Sequence, residues 1–146
     1  MKKALKIGFV LGGALLFLSA CSPSSKQMII EDTQQVKLRS FQTKTYEYSK
    51  QKVAKSSVAA LQDLGFIVDK ADMATGTVTA TKLLKGAKMK MTLVIREEGK
   101  NRATIRANAQ YSSASSMPSA VEDPEVYQAF FNVLDKAVFF ENEQVY

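Results

Sequence analysis

The sequence predicts an α+β two-layer sandwich, in which one antiparallel sheet carries two helices on one face. Residues 88–96 and 102–110 alternate strictly between apolar and polar side chains, which is typical of strands with one buried and one solvated face. Residues 50–64 and 127–138 place apolar side chains at helical spacing. The predicted order is strand, helix, four strands, helix, and antiparallel strands in succession with flanking helices favour this architecture.

The folded domain is expected to cover residues 37–146 and to begin with a strand. Residues 37–48 are rich in threonine and aromatic residues, as strands are. Leu38 and Phe41 are out of phase with a period of two, so this strand needs either a bulge or a later start. Residues 21–36 are polar around a small apolar patch and begin with serine and proline, which predicts a tether.

A first helix is predicted over residues 50–64. Ser49 can accept a hydrogen bond from a free N–H of the first turn, and Gly65 supplies the left-handed residue that ends many helices. In that geometry Phe66 folds back onto Leu61. The apolar stripe of this helix consists of Val53, Ser57, Ala60, Leu61 and Leu64.

Four strands are predicted to follow, because short apolar-rich runs alternate with turn signals. In chain order they cover 66–70, 77–82, 88–96 and 102–110, with turns at 74–76, at 83–88 and around Gly99. The last two strands would bury Met89, Met91, Leu93, Ile95, Ala103, Ile105, Ala107, Ala109 and Tyr111. The two methionines on this face are expected to fill the core.

Residues 112–123 predict a polar loop, and a second helix begins directly after it. Asp123 can cap this helix and Pro124 suits its first position. The helix presents a wide apolar face, which is expected to supply most of the core volume: Tyr127, Phe130, Phe131, Leu134, Ala137 and Val138.

Residues 1–20 predict a secretory signal peptide. Residues 1–6 carry three lysines and no acid, residues 7–18 are almost wholly apolar, and small residues follow. The apolar run is shorter than the roughly 20 residues that a helix needs to cross a bilayer.

The junction Leu18-Ser19-Ala20-Cys21 resembles the lipobox of bacterial lipoproteins. In that family the thiol is diacylglycerated, the chain is cut before the cysteine, and the new amino terminus is acylated. The resemblance implies that Cys21, the only cysteine of the chain, carries a lipid, and two or more acyl chains anchor a protein stably. Ser22 occupies the position where Asp commonly retains Gram-negative lipoproteins at the inner membrane, so the implied address is the periplasmic leaflet of the outer membrane.

Charge and composition argue against several classes of function. Residues 1–20 hold three of the 20 basic residues and none of the 14 acidic ones, so the processed chain keeps 17 against 14, a net charge of +3. This modest charge gives no argument for nucleic-acid binding. The chain has no histidine, and Cys21 is committed to lipid, so the usual general base, zinc ligand and thiol nucleophile are missing. We therefore expect no catalytic residue, no metal site and no cofactor.

Four segments of the mature chain resemble a largely uncharacterised family of small outer-membrane lipoproteins of Gram-negative bacteria. They are residues 38–43, 61–72, 76–82 and 123–131. The element order is also similar to that of the helix-grip domains of BamC, a lipoprotein of the outer-membrane β-barrel assembly machine. These resemblances imply a fold and an address, but they bring no activity with them.

The predicted function is that of a lipid-anchored, non-enzymatic binding or assembly module of the cell envelope with a protein partner. Five basic residues are expected on the open sheet face and form the candidate docking surface: Lys88, Lys90, Arg96, Arg102 and Arg106. The same surface would also suit lipopolysaccharide phosphate or a glycan. The sequence leaves the oligomeric state open.

Two other classes of function remain as alternatives. A lipid- or glycolipid-binding protein would need a cavity between the sheet and the last helix, lined by Phe130, Phe131, Phe139 and Phe140. A carboxylate hydrolase would need a close, buried pair among seven candidates: Asp63, Asp69, Asp72, Glu97, Glu98, Glu122 and Asp123. Most of these acids fall in predicted turns.

Overall fold

The computed structural model describes residues 25–143 and contains, within them, three helices and six strands. The helices are α1 (Ser25–Gln42), α2 (Lys50–Asp63) and α3 (Pro124–Glu143). The strands are β1 (Thr43–Tyr46), β2 (Ile67–Asp72), β3 (Thr77–Leu84), β4 (Ala87–Glu97), β5 (Ala103–Ser113) and β6 (Ser119–Ala120). The sheet is antiparallel with the order β1-β5-β4-β3-β2, and the short β6 pairs with the end of β5.

The predicted α+β sandwich is confirmed. Helices α2 and α3 pack against each other, and both contribute to a core that lies on one face of the sheet. On that face β5 carries mainly alanine, including the fully buried Ala103 and Ala107. Their small side chains leave room for Tyr127 and Phe130 of α3, which are also fully buried. Small residues on the sheet and large ones on the helix therefore give a filled interior.

Helix α1 corrects the predicted start of the domain. Residues 37–42 are the last turns of α1, so the predicted strand over 37–48 is wrong there and β1 covers only Thr43–Tyr46. Residues 25–36, assigned to the tether, are helical as well. The segment has no glycine or proline and many good helix formers. Leu38 and Phe41, out of phase in a strand, lie three apart on one side of a helix, and both pack against the core.

Both ends of α2 follow the predicted capping pattern. The Ser49 side chain accepts a hydrogen bond from the Lys52 N–H at 3.4 Å. Gly65 has a φ of +80°, and its N–H donates to the Gln62 carbonyl at 2.9 Å. The Phe66 N–H donates to the Leu61 carbonyl at 2.9 Å. These two bonds form a Schellman motif, which ends the helix and directs the chain into β2.

Strands β2 to β5 begin and end within three residues of their predicted bounds, and β3 and β4 extend into the predicted turn at 83–88, which is shorter than expected. The predicted loop over 112–123 also contains β6, whose two residues pair with Gln110 and Tyr111 of β5. Asp123 caps α3 as predicted, because its Oδ1 accepts a hydrogen bond from the Glu125 N–H at 2.9 Å.

Candidate functional site

The candidate site is the open face of the sheet, which is the face turned away from the core. Four of the five predicted basic residues are exposed at positions that alternate with buried side chains of β4 and β5: Lys88, Lys90, Arg96 and Arg106. Alternation along a strand places successive side chains on opposite faces. The core-facing neighbours of Arg96 and Arg106 include Ile95, Ile105 and Ala107, which are buried. These four cations therefore share the open face.

Arg102 is not part of that face. Strand β5 begins at Ala103, which pairs with Glu97 at the end of the ladder. Arg102 lies in the β4–β5 turn, which is closed by a hydrogen bond from the Glu98 N–H to the Arg102 carbonyl at 2.8 Å. Its Nε lies 3.7 Å from Glu98 Oε2. The alternating pattern includes residue 102, but this residue still belongs to the turn, so the predicted strand began one residue too early.

The strand register divides the four cations into two pairs. Lys88 and Lys90 lie near the β3–β4 turn, whereas Arg96 and Arg106 lie toward the other end of β4. Arg106 opposes Val94, only two positions from Arg96 along β4. Lys90 and Arg96 are six residues apart, which is about 20 Å along an extended strand. The basic surface is therefore two patches separated by uncharged side chains.

None of these four cations forms an ion pair with a side chain of residues 33–141. The two ion pairs in that part of the chain are Lys44 with Asp135 and Arg102 with Glu98. An acidic partner could therefore approach the open face without displacing an acid of this chain from these cations.

A groove of about 650 Å³ runs between α1 and the neighbouring part of the sheet. Arg106 and Asn108 of β5 line one side, Leu38 and Phe41 of α1 line another, and Glu122 lies at the segment before α3. Arg106 therefore belongs both to the open face and to the groove. Sequence reasoning missed the groove because one of its walls is the unpredicted helix α1.

The hydroxyl group of Tyr127 holds α1 in place beside the sheet. It donates a hydrogen bond to the Val121 carbonyl at 2.5 Å. It accepts hydrogen bonds from Gln42 Nε2 at 3.1 Å and from the Ala109 N–H at 3.3 Å. One buried hydroxyl thereby joins the end of α1, strand β5, the segment after β6 and helix α3.

A second polar cluster joins β1 to α3. Lys44 Nζ lies 2.6 Å and 2.8 Å from the two carboxylate oxygens of Asp135, and the Tyr46 hydroxyl donates to the same carboxylate at 2.7 Å. Burial, followed by the hydrogen bond and the negative charge of Asp135, raises the pKa of Tyr46 above its ordinary value. The cluster stabilises the packing of the edge strand against the helix.

Several candidate carboxylates have structural roles. Asp72 Oδ1 accepts hydrogen bonds from the Ala74 and Thr75 N–H groups, each at 3.0 Å. The bond from Thr75 is the main reason that the pKa of Asp72 is lowered. Asp69 accepts a hydrogen bond from the Thr81 hydroxyl at 2.7 Å. Among the side chains of residues 33–141, no group of three Asp, Glu, His or Cys residues is arranged to hold a metal ion.

The four phenylalanines proposed as a cavity lining do not share one surface. Phe130 is fully buried and Phe131 nearly so, and both belong to the core. Phe139 and Phe140, near the end of α3, are mostly exposed. The structure thus divides this set between the interior and the solvent, and the groove beside α1 is lined by other residues.

Cys21 and the predicted signal peptide lie outside the described residues. Of the helices between residues 25 and 143, none has the length and apolar character required to span a membrane.

Comparison with known proteins gives little further information. No family model matches the chain, and no curated protein matches it. Among solved structures, a TBP-like protein from Parabacteroides distasonis ATCC 8503 is similar at 21% identity with a TM-score of 0.35. The match covers 70% of this chain and 91% of that protein.

Proposed function

We propose that this protein is a lipid-anchored, non-enzymatic binding module of the bacterial cell envelope, held at the periplasmic leaflet of the outer membrane through Cys21. Its partner would be an envelope protein with an acidic surface. The sequence Leu18–Cys21 supports the anchor. The observation that carries the binding role is the open sheet face, whose four cations have no ion-pair partner among residues 33–141.

The arginine pair suits recognition of carboxylates. A guanidinium group is planar and can form two parallel hydrogen bonds with a carboxylate, and it loses less hydration energy than an ammonium group. Arg96 and Arg106 are close in the register of β4 and β5. Arg106 also lines the groove, so a partner segment that pairs with Arg106 could continue beneath α1.

The open face also suits docking in its shape and rigidity. β4 pairs along its whole length with β5 and along most of it with β3, so the side chains on it have defined positions. Between the charged pairs lie Thr92 and Asn108, which oppose each other. A partner can therefore approach a polar surface with a fixed strand framework, and positive charge accelerates such an encounter.

The test is capture of the partner from detergent-solubilised envelopes with the full, naturally processed chain as bait. The variant Arg96→Glu/Arg106→Glu should retain the fold, since exposed substitutions usually cost less than about 0.5 kcal/mol each. We expect it to lose most of the partner that the unmodified chain recovers. The matched control is Lys55→Glu/Lys136→Glu, which changes the net charge equally but on exposed positions of α2 and α3.

The control variant should recover the partner normally. Captured protein should also fall with rising salt for the unmodified chain, and less steeply for the arginine variant, because fewer screened contacts remain. Full recovery by Arg96→Glu/Arg106→Glu at low salt would contradict the proposal. Equal losses in both variants would also contradict it, since net charge rather than the open face would then decide binding.

A further inference from the structure

The β3–β4 hairpin ends in a tip, residues 82–90, that exposes large apolar side chains. Leu83 is 70% exposed and Leu84 is 38% exposed. The loop that follows β5 lies at the same end of the sheet, because Ser112 and Ser113 pair with Lys88 and Ala87. In that loop Met117 is 86% exposed. Exposed apolar residues grouped at one end of a domain indicate a contact surface.

Lysines surround these apolar side chains. Lys85, Lys88 and Lys90 are exposed, and Lys88 directly opposes Leu83 across the hairpin. Lys82 is held differently, because its Nζ donates to the Leu64 carbonyl at 2.8 Å. The tip therefore carries three exposed ammonium groups next to exposed leucines.

The hairpin tip and the Met117 loop contain no acidic residue. The sequence has no Asp or Glu from residue 73 to 96 or from residue 99 to 121. These ranges include β3, strand β4 up to Arg96, strand β5 and the loop that contains Met117; Glu97 lies at the opposite end of β4 from the tip. The charged side chains of the tip are therefore all basic and complement an anionic surface, and the nearest acid on β2, Asp69, is hydrogen-bonded to Thr81 beside the tip.

Basic residues beside exposed apolar ones are the pattern of segments that lie in a membrane interface. The apolar side chains enter the boundary between headgroups and acyl chains, while lysines keep their ammonium groups at the level of the phosphates. An acidic protein surface would pair with the lysines but would leave Leu83 and Met117 without an apolar environment. The combination favours a lipid bilayer.

We propose that the hairpin tip and the Met117 loop form a second membrane contact, which inserts Leu83, Leu84 and Met117 into an anionic phospholipid bilayer. This contact is additional to the lipid on Cys21 and to the proposed docking of a protein partner on Arg96 and Arg106. It would hold the domain with its hairpin end on the bilayer.

The absence of tryptophan from the chain allows a direct test. Leu83→Trp places the only tryptophan at the tip of the full, processed chain, and Met117→Trp provides a second reporter. Lys100→Trp, in the exposed β4–β5 turn, is the control at the opposite end of β4. Each variant is reconstituted into phosphatidylcholine vesicles with or without phosphatidylglycerol, and brominated lipids serve as quenchers of tryptophan fluorescence.

We expect a blue shift and strong quenching of the Leu83→Trp and Met117→Trp variants in vesicles that contain phosphatidylglycerol. Lys100→Trp should show neither change. Adding Lys85→Glu and Lys88→Glu to Leu83→Trp should abolish the quenching, whereas adding Arg96→Glu and Arg106→Glu should leave it intact. Circular dichroism of each variant verifies that the fold is retained.

Equal quenching at the two ends of the sheet would overturn the proposal, and so would an unquenched tip on anionic vesicles. A blue shift of the tip that depends on protein density and not on phosphatidylglycerol would assign the surface to a second copy of this chain and would also overturn it. Quenching of the tip is also measured with Arg96→Glu and Arg106→Glu present. The membrane contact can therefore be observed whether or not a protein partner docks on the two arginines.

Discussion

Replacing Gly76 by alanine should reduce the free energy of unfolding by more than the addition of one methyl group usually does. Gly76 has a φ of +74°, and a Cβ atom there would lie 2.2 Å from the carbonyl oxygen of Ile95 and 2.6 Å from Lys50 Cε. The lysine side chain can move, but the Ile95 oxygen belongs to the backbone of the central strand β4. The Gly76 carbonyl also accepts a hydrogen bond from the Ile95 N–H at 2.7 Å, which holds the two segments together.

Gly86 provides a control with nearly the same backbone conformation. Its φ is +73°, and an added Cβ would meet no atom within 4 Å. Both substitutions impose a left-handed conformation on alanine, which costs about 1–2 kcal/mol. Both also gain about 0.4–1 kcal/mol from a less flexible unfolded chain. At Gly76 alone the overlap with the backbone adds about 1–3 kcal/mol, as overpacking of an interior does.

We therefore expect Gly76→Ala to reduce the free energy of unfolding by about 2–4 kcal/mol and Gly86→Ala to reduce it by about 1 kcal/mol. Urea denaturation followed by far-UV circular dichroism measures both values. Equal midpoints for the two variants at equal m-values would refute the reasoning, because the close approach of Gly76 to Ile95 would then have no energetic consequence.

Three other substitutions test the core, the Asp135 cluster and the lipid anchor. Phe130→Ala should cost about 3–5 kcal/mol in urea denaturation, as truncation of a buried phenylalanine does, whereas Phe139→Ala, at a position 57% exposed, should cost much less. Because the pKa of Tyr46 is raised in the folded state, its phenol contributes stability that is complete below the ordinary value of 10.0 and declines above it. The difference in unfolding free energy between the unmodified chain and Tyr46→Phe should therefore shrink above that pH. Cys21→Ser should release the protein from membranes or leave an uncleaved precursor, as detergent-phase partitioning and gel mobility would show.

Each of these predictions has a clear contrary result. Equal denaturation midpoints for Phe130→Ala and Phe139→Ala would show that the aromatic face of α3 is not the core. A constant difference between the unmodified chain and Tyr46→Phe at alkaline pH would contradict a raised pKa of Tyr46, which burial and the bond to Asp135 together produce. Unchanged processing and unchanged partitioning of Cys21→Ser would remove the basis of the anchor.

The elements that the sequence predicts are those with local signals. Strict alternation defines β4 and β5 because one face of each strand is buried over its central part, from Met91 to Ile95 and from Ala103 to Ala109. The cap at Ser49 and the glycine at Gly65 mark the two ends of α2, since both depend on residues within one turn of the helix. The four cations on the open face follow from the same alternation.

Helix α1 could not be assigned in the same way, although part of its signal is present. The spacing of Leu38 and Phe41 is helical, but two residues are too few to decide against the threonine-rich segment that follows. The deciding contacts come from distant parts of the chain. Gln42 binds the hydroxyl of Tyr127, 85 positions away, and such long-range partners leave no pattern in a single sequence.

The errors in the predicted site also arise from contacts between elements that are distant in the sequence. Arg102 fits the alternation, but the β4–β5 turn places it beside Glu98 and outside the sheet. The groove beside α1 depends on the packing of α1 against the sheet and α3. Local periodicity therefore predicts which side chains share a face, whereas the shape of that face depends on contacts between elements.

The two proposed surfaces are related by the geometry of one strand. β4 is paired with a neighbour on each side for most of its length, so Lys88 and Arg96 keep a constant separation of about 27 Å. A lipid on Cys21 alone would not fix the orientation of the domain, so the arginines could then face the bilayer as well as the periplasm. If the hairpin tip lies in the membrane interface, Arg96 and Arg106 lie toward the opposite end of β4, away from the bilayer. The lysines would thus orient the domain, and the arginines would meet a partner whose acidic region projects from the bilayer by a similar distance.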